Sequence, residues 1–284
     1  MSSILDLIKK NPMLKKLYNM LELGIDTFDL ELLFPYLNDY QVNDGNITAD
    51  IVTQFRVYVT NGIISKNYSL RDVHGIGNII SIYGIAAIIV QAESSPEKDS
   101  TVDFAMRFYD YARKCNDSDK QSLAGHILAN ELLKPQTYFL RTLDVFFTAD
   151  KFELDWFYEC TKFIYDKACV PEFVLADNTF YPYNQFQTLV DAGFVNSSSG
   201  SLSYDGGPTT MHFSTAEVNI EIIKPPFGFS IYTLTDAGAQ LFDLRPEATT
   251  EAFLSKLKDK LERNNLAKVI SIDRKKIEYG KAKG

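Results

Sequence analysis

The sequence predicts a mainly α protein: a multi-helix domain, then a small α+β winged helix-like unit, then a C-terminal amphipathic helix. Three observations carry that reading. Apolar residues recur at helical spacing through most of residues 1–167. After Lys167 the texture changes to short apolar runs broken by Gly, Ser and Pro, which suits strands and turns. Finally, "TEAFLSKLKDKLERNNL" places Phe253, Leu254, Leu257 and Leu261 on one side of a helix and its charges on the other.

Residues 1–95 read as an N-terminal helical region. In "NPMLKKLYNMLELG", Asn11 is the N-cap, Pro12 fills the first turn and Gly24 closes the helix, with Leu14, Leu17, Tyr18 and Leu21 on the apolar side. "DTFDLELLFPYLNDY" predicts a shorter helix perturbed by Pro35. "TADIVTQFRVYVTNG" is rich in Val and Thr, but Ile51, Phe55 and Val59 keep a helical spacing, which favours helix over strand. From Val73 to Ala92 there are twenty residues with no Asp, Glu, Lys or Arg, about the length that spans a bilayer. Three glycines, His74, Asn78, Ser81, Gln91 and the mixed flanking charges favour a buried helix over a membrane segment or an oligomer interface.

Residues 96–167 read as a helical hairpin region. Pro96 in "ESSPEKDS" marks an expected helix start, and Phe104, Phe108 and Tyr111 follow at helical spacing. "NDSDKQSLAGHILANELLK" runs from a capping cluster to Lys134, Pro135 ends it, and "TYFLRTLDVFF" is the return helix. The next helix is expected to start at Thr148 and, being aromatic on more than one side, to be largely buried. Residues 168–247 form the winged helix-like unit. A short strand or turn precedes a helix ending at Gly193; then come a flexible loop with a β-hairpin, a strand, and a helix capped by Thr235. Residues 248–284 are the amphipathic helix and a basic tail expected to fray.

Composition narrows function. Lys and Arg number 29 against 37 Asp and Glu, a net charge of −8, which disfavours general nucleic-acid binding. Cys115, Cys160 and Cys169 form neither a disulfide framework nor a zinc pattern. The N-terminal stretch lacks the apolar run of a secretory signal, so a reducing cytoplasm is expected. Walker, dinucleotide, nucleophile-elbow and EF-hand patterns are missing from the sequence, so no catalytic, cofactor-binding or metal-ligating residue is expected, and the chain leans away from enzymes. His126 and Glu131 are five apart, the wrong spacing for a shared helix face. Glu131 and Arg141 lie on successive antiparallel helices, where an ion pair across the Pro135 turn would order the hairpin.

The stretch Ser118 to Leu244 resembles the DUF2806 group of bacterial proteins and, through it, the wider Abi-alpha group. The matching pattern is a helix ending in Ala129 and Glu131, a turn with Pro135, then Arg141, Thr142 and Leu143 on the next helix before an aromatic-rich one. A helix ending "LVDAGFV", a hairpin and "YTLTDAGAQLF" complete it. The resemblance implies a structural hairpin, no known catalytic residue, and a link to phage defence.

These observations predict a non-enzymatic protein-interaction or effector module of abortive-infection or toxin–antitoxin type, acting on another protein or on a second copy of itself. One alternative is DNA binding through the winged helix-like unit. Against it, residues 171–250 carry two cations and nine anions, and "YNQFQTLVDAGF" has no Lys or Arg. Another alternative is membrane disruption by residues 73–92. Residues 248–284 carry ten cations and five anions, so this segment is expected to dock on an acidic surface, with Leu254, Leu257 and Leu261 helping to hold an oligomer.

Overall fold

The computed structural model describes residues 2–42, 45–176 and 180–275. The chain divides into two compact units, Met1–Leu143 and Asp144–Gly284. The molecule is mainly helical with small antiparallel sheets. The division differs from the four regions expected. Residues 96–167 do not stand alone, because their helices belong to the cores of two different units.

Unit 1 starts with β1 (Ser2–Ser3), which pairs with β2 (Gln41–Val42), and contains α1 (Ile4–Lys10), α2 (Pro12–Gly24) and α3 (Thr27–Asp39). Asn11 caps α2 as expected, its side chain accepting from the backbone N–H groups of Met13 and Leu14. Helix α3 is as long as α2 rather than shorter, and Pro35 lies inside it. Burial of Leu32, Leu33, Tyr36 and Leu37 on either side of the proline offsets the lost backbone hydrogen bond. Helix α4 (Ala49–Ser65) confirms helix over strand.

Helix α5 (Leu70–Val90) is the centre of the unit and packs against α2, α3, α4, α6 (Val102–Ala112) and α7 (Ser118–Leu133). Among the described residues it is the one helix long and apolar enough to cross a membrane, yet 72% of that stretch is buried in the fold. Pro96 does not start α6, which begins six residues later under a Thr101 cap. Lys16 Nζ donates to the carbonyls of Pro96 and Lys98 and holds that segment as a loop.

Helix α8 (Leu140–Thr148) crosses the division. Thr148 ends α8, its hydroxyl bonding the Asp144 carbonyl, and does not cap α9 (Lys151–Cys160). Asp150 caps α9 in a reciprocal arrangement with Glu153. Leu154, Phe157, Tyr158 and Cys160 are buried, but Phe152 is 46% exposed, so this helix is half-covered rather than enclosed.

Unit 2 has two three-stranded antiparallel sheets. The first has the order β3 (Cys169–Pro171), β7 (Phe227–Leu234), β4 (Val195–Tyr204). The second has the order β5 (Gly207–His212), β6 (Ala216–Ile222), β8 (Ala267–Arg274). Helices α10 (Tyr183–Asp191), α11 (Asp236–Phe242, capped by Thr235) and α12 (Glu251–Glu262) complete the unit. Two expectations change here. "NSSSGSLSY" is strand β4, ordered by a ladder to β7 that local propensity does not report. Asp273 and Arg274, assigned to a fraying tail, are the end of β8, which pairs with β6. The remainder of the expected basic tail, from Lys276, and residues 177–179 lie outside the described residues.

Helix α12 turns its apolar side into its own unit. Phe253 is fully buried and its ring meets those of Phe163, Phe173, Phe180 and Phe213 at centroid distances of 5.3, 6.0, 5.9 and 5.3 Å. Leu254, Leu257 and Leu261 are each 1% exposed. They pack against protein as expected, but the cover comes from the same chain, so this face is not left for a second subunit.

Candidate functional site

Arg71, His74, Gly75 and Asn78 follow one another at i, i+3, i+4 and i+7, a single face of α5. That face lines a cavity of about 590 Å³ together with Arg56 of α4 and Arg113, Lys114 and Asn116 from the turn after α6. Two glycines let the arginines lie close to α5. A Cβ on Gly75 would come within 2.9 Å of Arg113 Cγ, and one on Gly77 within 3.2 Å of Arg56 Nε.

The floor of the cavity is built from satisfied polar groups. Arg113 reaches Asp29 of α3 through Nε (2.5 Å) and Nη2 (3.1 Å), and Nη2 also reaches Asp72 at 3.1 Å. Asp29 is fully buried and accepts a further hydrogen bond of 2.5 Å from the Tyr109 hydroxyl. Hydrogen bonding to Asp29 raises the Arg113 pKa, whereas burial, then the bond to Asp29, raises that of Tyr109. Both groups therefore keep their protons. The buried Asn78 donates to the Arg113 carbonyl (3.0 Å) and to Asn116 Oδ1 (2.9 Å). In turn it accepts from Gln121 Nε2, which also donates to the Cys115 carbonyl. A closed network of this kind fixes side chains in one arrangement.

The cations above this floor are different. Asp29 and Asp72 engage Arg113, whereas among the described residues the side chains of Arg56, Arg71 and Lys114 make no ion pair. Arg71 also lies in the first turn of α5, where the helix dipole disfavours positive charge. The arrangement can hold an anion, with Asn78 and Asn116 as neutral neighbours. Burial pushes the nearby Cys115 thiol up to about 11, so it stays protonated.

Residues 74–175 match the DUF2806 family. Its description is "protein of unknown function". No curated protein and no solved structure matches the chain. The DUF2806 segment begins earlier than the sequence patterns suggested and stops at residue 175, so the helix–hairpin–helix ending lies outside it. It contains His74, Gly75, Asn78, Arg113, Lys114 and Asn116, but neither Arg56 nor Arg71.

Within the DUF2806 segment the hairpin residues do a different job from the one expected. Glu131 is 1% exposed, and its carboxylate accepts from the backbone N–H groups of Gln136 (2.7 Å), Thr137 (3.0 Å) and Tyr138 (3.2 Å). It thus ties down the turn after Pro135, where Gln136 has a left-handed φ of 69°. The Glu131–Arg141 ion pair does not form. Arg141 is exposed, and backbone donors already saturate the carboxylate. Burial raises the Glu131 pKa while these donors oppose the shift. Thr142 and Leu143 are fully buried at the start of α8, and Pro135 is half-buried. None of these residues, nor Leu254, Leu257 and Leu261 of unit 2, joins the cavity. Sequence reading treated the polar residues of α5 only as an argument against a membrane span. The overlooked signal was their common face.

Proposed function

We propose that this protein is a non-enzymatic interaction module that uses the α5 cavity to receive an anionic group, a carboxylate or phosphate, presented by a partner protein. The carrying observation is the set of Arg56, Arg71 and Lys114, cations without ion-pair partners among the described residues, around one hydrogen-bonded floor in a protein of net charge −8. Such a patch steers an acidic partner and fixes its orientation. The DUF2806 resemblance and its suggested relation to abortive-infection proteins support a place in phage defence or a toxin–antitoxin pair, in the cytoplasm. The triple variant Arg56→Gln/Arg71→Gln/Lys114→Gln tests the reading. Affinity capture from the host by the full chain should yield a partner that is lost on the triple variant and released by salt, with an unchanged Tm. Recovery of the same proteins by both forms would overturn it.

Residues 168–247 keep the order helix, antiparallel strands, helix that motivates a winged helix-like description. As a DNA reader the unit lacks means: α10 has no Lys or Arg to contact phosphate or guanine. We read it as a scaffold. Membrane action by residues 73–92 would require α5 to leave the helices that cover it, which makes this the weaker alternative.

A further inference from the structure

Successive residues of an α-helix are turned by about 100°. Gly75 and Gly77 therefore lie on opposite sides of the α5 face that carries Arg71, His74 and Asn78. The Arg113 side chain runs against Gly75 and the Arg56 guanidinium against Gly77, so two planar forks flank one helix face. Arg71 and Lys114 line the same space. Arg56, Arg71, Arg113 and Lys114 stand against the two carboxylates that engage Arg113, Asp29 and Asp72, which leaves an excess of two positive charges.

That excess bears on the kind of anion received. A carboxylate brings one negative charge, whereas a phosphorylated side chain brings about −1.5 to −2 near pH 7 and three acceptor oxygens. A guanidinium also meets phosphate with two parallel N–H donors. The cavity lining has no Phe, Tyr or Trp on which a nucleobase would stack. A volume of about 590 Å³ leaves room for the stem that bears the phosphate. We propose that the cavity recognises a phosphomonoester dianion, the phosphorylated Ser or Thr side chain of a partner protein, in preference to a carboxylate. This rests on the reading of the cavity as a receptor for an anionic group and narrows that group to one class.

The test titrates the full chain, at a pH where the phosphomonoester is dianionic, with N-acetyl-O-phosphoserine amide and, separately, N-acetylglutamate amide, read by ligand-observed NMR. Wild type should bind the phosphoserine derivative on the order of tenfold more tightly than the glutamate derivative, and Arg56→Gln/Arg71→Gln/Lys114→Gln should lose that preference. Equal affinities in wild type, both lost in the triple variant, would overturn the phosphate preference and leave the anion-receiving role standing. Binding of neither at millimolar concentration, or binding unchanged in the triple variant, would overturn both. Two further arms fix the source. Inorganic phosphate bound more tightly than the derivative would reject a side chain in favour of the free ion. A short single-stranded RNA bound more tightly, and lost in the triple variant, would reject a protein partner in favour of a nucleic-acid backbone.

Discussion

In unit 1 a helix, α5, packs against five others; in unit 2 a ring, that of Phe253, meets four others. The units also differ in what they bury beside hydrocarbon. Unit 1 encloses hydrogen-bonded polar groups, among them Asp29 with Arg113 and Tyr109, Asn78 with Gln121, and Glu131 with the turn after Pro135. The interior of unit 2 around α12 is aromatic, and contacts between rings select their geometry. Directional bonds place side chains to within a narrow range, whereas ring packing places whole elements. This contrast teaches why the positioned cations are found on unit 1 and why unit 2 reads as scaffold.

Four expected outcomes can break or sharpen this comparison. The largest follows from ending the chain after Pro246, which removes α12 and β8. Hydrogen exchange should show amides of unit 2 losing protection while those around α5 keep theirs; retained protection in β6 and β7 would contradict the central role given to Phe253. Next, Phe253→Ala should lower stability by about 3–5 kcal/mol in urea unfolding, the range for emptying a large buried aromatic site. In unit 1, Asp29→Ala should destabilise by about 3 kcal/mol, because Arg113 then loses the buried carboxylate that balances it. A loss within 0.5 kcal/mol of zero would show that the polar floor is not structural.

The smallest effect concerns pH. Burial holds the half-buried His126 imidazole below its ordinary pKa. As pH falls through about 6.5 the unfolded chain binds a proton that the folded chain refuses, so stability declines below that value and is flat above it. His126→Gln should flatten the curve between pH 7.5 and 5.5, and the same slope in both proteins would assign it to other groups.

Much of the helical half was legible. Asn11, Thr235 and the apolar spacing of residues 51–59 act locally, so a window of sequence contains the whole cause. Strands β4 and β8 were not legible, because their partners lie about thirty and fifty residues away and a ladder adds nothing to local periodicity. Glu131 was expected to pair with Arg141 but accepts from backbone N–H groups of a turn, which carry no sequence signature. The cation cavity was half-visible. Arg71, His74 and Asn78 share a face that spacing reveals, whereas Arg56 and Arg113 reach it only through the packing of α4 and α6 on α5.

The pairing of β6 with β8 has a consequence for synthesis on the ribosome. The first partner of β6, strand β5, emerges just before it, but the second emerges only when residues 267–274 have been translated. Until then β6 presents an open edge, a template for unwanted pairing with other nascent chains. Unit 1 carries no such debt, because α1 to α7 are complete by Leu133 and α8, which starts in it, by Thr148. The vulnerable interval in the life of this polypeptide therefore falls late, between the appearance of Ile222 and that of Ala267, and a holding chaperone would find its target there.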